Sequence, residues 1–256
     1  MRVLVNSAKR VCLSVAVILS SVPVAVQAEE LRVATEGFYA PFNFIDSNGE
    51  LAGFDIDIAN ALCAEMGATC EVVQNDWDAL IPGLVENQYD VIIASMSITP
   101  EREAQVAFSL PYYSNALAFL GRRGSNIEIS KEGLSGRKVG VQRSTVSSEY
   151  LEDTYGDQVE IQLFDTQEAA LNTLADGGLD LVIGDNLPAY AWLQSEQGQA
   201  YEFVGEFVDI DDRIGIALRL DDQDLLDKIN DALISIIGNG VYQEINAKYF
   251  PFSIYF

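Results

Sequence analysis

The chain has 256 residues, 39 of them acidic against 15 basic, a formal charge of −24 and no histidine. The acidic balance excludes a phosphate-backbone binder, which needs clustered Lys and Arg. The lack of histidine excludes Ser-His-Asp and Cys-His catalysis and removes the commonest zinc ligand.

The first 28 residues stand apart. Arg2, Lys9 and Arg10 form a basic start, an apolar run follows from Val11 to about Val26, and Val26 and Ala28 place small side chains at the −3 and −1 positions of a cut before Glu29. This is the layout of a cleaved secretory signal peptide. A membrane span needs ~20 apolar residues; this run is shorter and contains Pro23. Cys12 lies at its start, so no lipid-anchored cysteine is expected beside the cut. Cleavage leaves a charge of −27, a soluble and self-repelling surface. In an oxidising compartment Cys63 and Cys70 are expected to form a disulfide, the alternative being two buried thiols; no further Cys or His completes a metal site.

The pattern then alternates. Leu31–Ala34 reads as a strand, Asp55–Gly67 as a helix with Ile58, Leu62 and Met66 on one face, Glu71–Gln74 as a strand, Trp77–Glu86 as a short helix and Asp90–Ala94 as a buried strand. Thr99-Pro100-Glu101 joins a capping hydroxyl, a first-position proline and a first-turn acid into a helix start. A second run follows: strand Lys138–Gln142, helix Ser147–Tyr155, strand Glu160–Phe164, helix Gln167–Ala175, strand Leu179–Ile183 and helix Asn186–Glu196. Ile214–Leu218 is a strand, and two helices close the chain at about Gln223–Ile237 and Tyr242–Tyr249. Such alternation predicts an α/β fold of parallel sheets with helices on their faces, here as two lobes. Crossings are expected near Tyr112–Ala118 and Val208–Ile214, dividing the chain into residues 29–115 plus 213–256 and residues 116–212.

Ligands of open α/β sheets sit beyond the carboxyl ends of strands. That rule selects Thr35–Glu36, Ser95–Ser97, Arg143–Val146 and Gly184–Asp185, two places in each lobe, and so a cleft between lobes. The Ser95–Arg102 stretch offers hydroxyls, free N–H groups and a guanidinium, all suited to a carboxylate. Ser144–Val146 supplies a second set of N–H groups, and Asp185 an acid for an ammonium. Together they describe a receptor for a free amino acid, whose buried charges each need a partner. Plainer readings compete: Arg102 pairing with Glu101 or Glu103, Asp185 capping the next helix, Tyr39 and Trp77 serving as core or rim aromatics. The acidic runs Asp209–Asp212 and Asp221–Asp224 read as solvated surface, without the glycine and terminal glutamate of a calcium loop.

Glu36-Gly37-Phe38-Tyr39-Ala40-Pro41-Phe42, Gly53-Phe54-Asp55-Ile56-Asp57, Asp78–Leu84, Ser95–Thr99 with Arg102, Gly140–Thr145 and the ending Tyr242…Lys248-Tyr249-Phe250 resemble the polar amino-acid periplasmic solute-binding proteins of ABC importers. The nearest branch is the lysine/arginine/ornithine- and histidine-binding proteins, which carry a short-loop disulfide where Cys63 and Cys70 fall. The resemblance implies a periplasmic-binding-protein-like fold with a two-segment hinge and a periplasmic location. Arg102 and the N–H groups of Ser97 and Val146 would hold the ligand carboxylate. Asp185, the Ser97 hydroxyl and the Ser95 carbonyl would take its ammonium. Tyr39 and Trp77 would flank its side chain, Glu36 would face the distal cation, and Thr145 would complete the site. Asp55 matches an acid of structural role. Where Ala94 and Val146 stand the family often has serine and threonine. Trp77 replaces a smaller apolar residue, narrowing the slot toward a long or planar cation.

The resulting expectation is a monomeric, cofactor-free receptor for a basic L-amino acid (arginine, lysine or ornithine, or histidine) that closes about a hinge and meets a membrane permease. The alternatives are a receptor for a neutral polar ligand such as glutamine, a cyclohexadienyl dehydratase-like enzyme with Glu36 as proton donor, and the sensing domain of a receptor.

Overall fold

The computed structural model describes residues 30–255; the proposed signal peptide lies outside the described residues. In chain order the elements are β1 (Glu30–Thr35), β2 (Phe38–Tyr39), β3 (Asn43–Ile45), β4 (Leu51–Ala52), α1 (Phe54–Met66), β5 (Thr69–Gln74), α2 (Leu80–Val85), β6 (Val91–Ser97), α3 (Pro100–Glu103), β7 (Ala107–Phe108) and β8 (Tyr113–Arg122). There follow β9 (Lys138–Gln142), α4 (Val146–Tyr155), β10 (Glu160–Phe164), α5 (Gln167–Ala175), β11 (Leu181–Asp185), α6 (Asn186–Leu193), β12 (Tyr201–Leu218), α7 (Gln223–Gly238) and α8 (Val241–Tyr249).

The strands build one mixed sheet in the order β10-β9-β11-β8-β12-β6-β1-β5, with β7 beside β12 and a separate β2-β3-β4 ribbon. Both halves contain the expected parallel pairs: β1 runs parallel to β5 and β6, and β9 to β10 and β11. They flank a long antiparallel pair, β8 with β12, which corrects the expectation of purely parallel sheets. The pair spans the predicted crossings, with Leu117 opposite Val208, Asn115 opposite Asp212 and Ser114 opposite Arg213. Its register shifts twice between Val204 and Asp212, and such irregularities bend and twist a strand. The sequence reading found only the Ile214–Leu218 end of β12; β8 and the rest of β12 escaped it because their exposure pattern changes along their length as they pass from one half to the other.

Each half has two apolar layers. Near β1 and β6, Val33, Ile58, Leu62, Ile93, Leu233 and Tyr242 pack α1, α7 and α8 on one face, while Leu80, Leu84 and Ile92 pack α2 on the other. Around β9 and β11, Val141, Leu151 and Ile183 lie under α4, and Leu171, Leu174, Val182 and Ala189 under α5 and α6. Strands β6 and β11 are buried at every residue, as expected of strands covered on both faces. Cys63 and Cys70 form a disulfide between α1 and β5. The helix expected over Trp77–Glu86 opens instead with a tight 3-10 turn at Trp77–Ala79, which carries the indole to the cleft. No helix among the described residues is long and apolar enough to cross a membrane.

Candidate functional site

A small chamber lies where the carboxyl ends of β1, β6, β9 and β11 face one another. Its free volume is about 30 Å³, and Glu36, Tyr39, Trp77, Ser95, Thr145, Val146 and Asp185 all border it. Seven of the nine predicted residues thus meet at one place. Ser97 and Arg102 stand beside the chamber and not in its lining.

Glu36 follows β1 directly and is 3% exposed. Its Oε1 accepts a 2.6 Å hydrogen bond from Gln142 Nε2, and among the described residues no lysine or arginine pairs with it. Burial pushes its carboxyl up to about 7, against the opposing pull of the Gln142 amide. Asp185 ends β11 at the N-cap position of α6, yet its side chain does not cap that helix. It accepts a 2.5 Å hydrogen bond from the Tyr39 hydroxyl of the opposite half. Burial raises the Asp185 carboxyl, and the neighbouring Asp212 carboxyl raises it further, while Tyr39 and Arg102 oppose.

Arg102 projects from α3, whose first turn is capped by Thr99. Its Nη1 donates to the Ser97 carbonyl at 2.9 Å and its Nη2 to the Ser144 carbonyl across the cleft at 3.2 Å. The guanidinium lies 5.2 Å over the Trp77 ring. Burial lowers its pKa, and the surrounding acids Glu149, Asp212, Asp185 and Glu101 oppose that. The plain reading of Arg102 as a partner of Glu101 or Glu103 is therefore replaced by a bridge between halves. Trp77 Nε1 donates to the same Ser144 carbonyl at 3.0 Å. Ser144 holds a left-handed backbone, φ 58°, a conformation uncommon outside glycine.

The remaining predicted residues divide by what their polar atoms already do. Ser95, also left-handed at φ 53°, donates its hydroxyl to Asp55 at 2.9 Å. Asp55 further accepts from Asn43 and Tyr112, so it anchors the strand and stays out of the chamber lining. The Ser97 carbonyl accepts from Arg102, and Ser97 pairs with Ile214 of β12 in the sheet. The Thr145 hydroxyl donates to the Gln142 carbonyl at 2.8 Å and accepts from the Ser148 amide, a capping box that commits it to α4. Val146 and Ser147 are the first residues of α4, where backbone N–H groups have no partner within the helix.

The sequence reading missed Gln142, Ser147 and Gln167, which also border the chamber. Gln142 precedes by one residue the stretch that the strand-end rule selected. Gln167 opens α5 just beyond β10, a strand end to which the same rule applies. Asp212 corrects the reading of its run as solvated surface: it is 5% exposed and accepts from Asn115 Nδ2 at 2.7 Å. Asp222, in the other acidic run, caps α7. Among the described residues no cluster of acids and cysteines could hold a metal ion.

The family model of the bacterial extracellular solute-binding proteins, family 3, matches residues 31–252. The chain is 35% identical over 229 residues to the ABC transporter arginine-binding protein 1 of Escherichia coli, covering 89% of this chain and 93% of that protein. It is 34% identical to the lysine/arginine/ornithine-binding periplasmic protein of the same organism, covering 90% and 91%. Among solved structures, a Salmonella typhimurium periplasmic binding protein of high arginine specificity superposes with a TM-score of 0.81 at 35% identity, over 87% of this chain and all of that one.

Proposed function

This chain belongs to the bacterial extracellular solute-binding proteins, family 3, and we propose that it captures a basic L-amino acid between its halves for an ABC importer. The relatives that bind arginine, lysine or ornithine support the ligand class. The observation that carries it is Glu36: a carboxylate buried in the chamber, held by one amide and paired with no cation of the described residues. A buried carboxylate without a counter-charge is costly, and a cationic side chain supplies what it lacks. Asp185, with Tyr39 ordering its carboxylate, receives the α-ammonium. The N–H groups opening α4 and the Arg102 guanidinium receive the α-carboxylate, Arg102 turning from the Ser144 carbonyl as the ligand enters.

The lobes are residues 29–115 with 213–256 and residues 116–212, turning about β8 and β12. Closure presents one continuous surface to a membrane permease, and the protein acts as a periplasmic monomer after cleavage between Ala28 and Glu29. It is a carrier and not an enzyme, since Glu36 is accounted for by a cationic ligand. Calorimetry with a panel of amino acids tests this reading. Arginine, lysine or ornithine should bind, and Glu36→Gln should weaken that binding more than tenfold, because breaking one side of a buried charge pair costs ~3–5 kcal/mol. Binding of glutamine alone, unaffected by Glu36→Gln, would defeat it.

A further inference from the structure

Gln167 carries a buried amide nitrogen that no hydrogen-bond partner satisfies. It is 4% exposed and borders the same chamber as Glu36 and Gln142. The fold makes a bed for it: a Cβ placed on Gly184 would lie 2.1 Å from Gln167 Nε2 and 2.8 Å from its Cδ and Oε1, so the carboxamide rests directly on glycine backbone. Stranding a buried N–H is unfavourable, and leucine would fill the same volume without that cost. The polar group therefore serves something that enters the chamber.

Hydrogen-bond counting says what that is. A guanidinium presents five N–H donors in a fixed plane, whereas an ammonium presents three. A carboxylate satisfies two guanidinium donors in a bidentate pair, and the rest need acceptors in the same dry space. Gln142 spends its Nε2 on Glu36 and on the Asp165 carbonyl, which leaves its amide oxygen as an acceptor. Gln167 can add another by turning its terminal amide, since exchanging N and O alters its shape little.

We propose that Gln167, seated on Gly184, is a specificity-determining residue that selects a guanidinium over an ammonium in the chamber it shares with Glu36 and Gln142. The proposal rests on the reading of this chain as a basic amino-acid receptor and adds the preference for arginine over lysine and ornithine.

The test is calorimetry of the purified protein with L-arginine and L-lysine, on the wild type, Gln167→Leu and Gly184→Ala. Wild type should bind arginine at least tenfold tighter than lysine. Gln167→Leu should weaken arginine tenfold or more and lysine less than threefold, with a melting temperature no lower than that of wild type. Gly184→Ala keeps the amide but displaces it and should narrow the arginine-to-lysine ratio in the same direction, which covers the case in which Gln167→Leu folds poorly. An unchanged ratio in a folded variant, or equal losses for both ligands, overturns the proposal and leaves the receptor reading intact. A wild type that binds arginine no better than lysine also overturns it, and a wild type that binds no basic amino acid defeats both.

Discussion

Glu36 makes binding and stability respond oppositely to pH. Its carboxyl titrates at about 7 in the folded chain against 4.5 as the ordinary value, so the folded state holds a proton that the unfolded state releases between those values. Stability of the free protein therefore rises as pH falls from about 7 toward 4.5. Asp55, raised to about 6 by burial, acts in the same direction. A cationic ligand needs the ionised carboxylate, so its affinity falls over the same window, approaching tenfold per pH unit below 7. Melting curves and calorimetry at pH 5, 6, 7 and 8 check both slopes, and Glu36→Gln should make the affinity profile shallower, leaving the part due to Asp185, whose carboxyl is also raised to about 7. Asp212 belongs at this scale too: its burial follows from its contact with Asn115, which no local pattern of acids displays.

At the scale of elements, two devices hold α1 where it presents Asp55 to Ser95. Gly53 precedes the helix with φ 126°, a backbone state reserved for glycine. A Cβ there would lie 2.2 Å from the Phe42 carbonyl oxygen. Gly53→Ala should cost about 3 kcal/mol or more, measured by urea melting. At the other end the Cys63–Cys70 disulfide ties α1 to β5 across a sequence separation of 7. A short loop yields little entropy on closure, so Cys63→Ser with Cys70→Ser should lower stability by about 2–3 kcal/mol. The same melts, repeated under reducing conditions on the unaltered chain, should give a matching loss. Ligand affinity measured below the melting range should change little, because neither sulfur borders the chamber.

For the whole molecule the question is what favours the closed arrangement. Trp77 and Arg102 both donate to the Ser144 carbonyl, Tyr39 reaches Asp185, Glu36 meets Gln142, and Arg143 bridges Asp78 and Asp165. The Arg143 pairs are exposed, and such pairs contribute ~0–1 kcal/mol. The Glu36–Gln142 and Tyr39–Asp185 hydrogen bonds are more deeply buried and should count for more. Trp77→Phe keeps an aromatic wall but removes one cross-cleft bond, worth about 1 kcal/mol. It should weaken ligand roughly fivefold and shift solution scattering of the free protein toward a more open form. Saturating arginine at 100 times its dissociation constant should stabilise the wild type by ~2.7 kcal/mol, read as a shift in thermal melting.

Local chemistry settles much of this protein in the linear chain. Continuous apolar runs mark β6 and β11, periodic apolar residues mark α1 and α7, and Thr99-Pro100 marks the start of α3, because each depends on neighbours within a turn or a strand. The strand-end rule likewise placed Glu36, Ser95, Val146 and Asp185 at the cleft. What tertiary structure alone decides is how polar atoms are spent. Asp185 turns to Tyr39 rather than to a cap, Asp212 accepts from Asn115, and Gln167 lies on the bare backbone of Gly184. Those choices depend on partners from 17 to 146 residues away in sequence, and on burial that no single segment encodes. The antiparallel pairing of β8 with β12 was hidden for the same reason: beyond Ile214–Leu218 its two strands are defined by each other, not by their own periodicity.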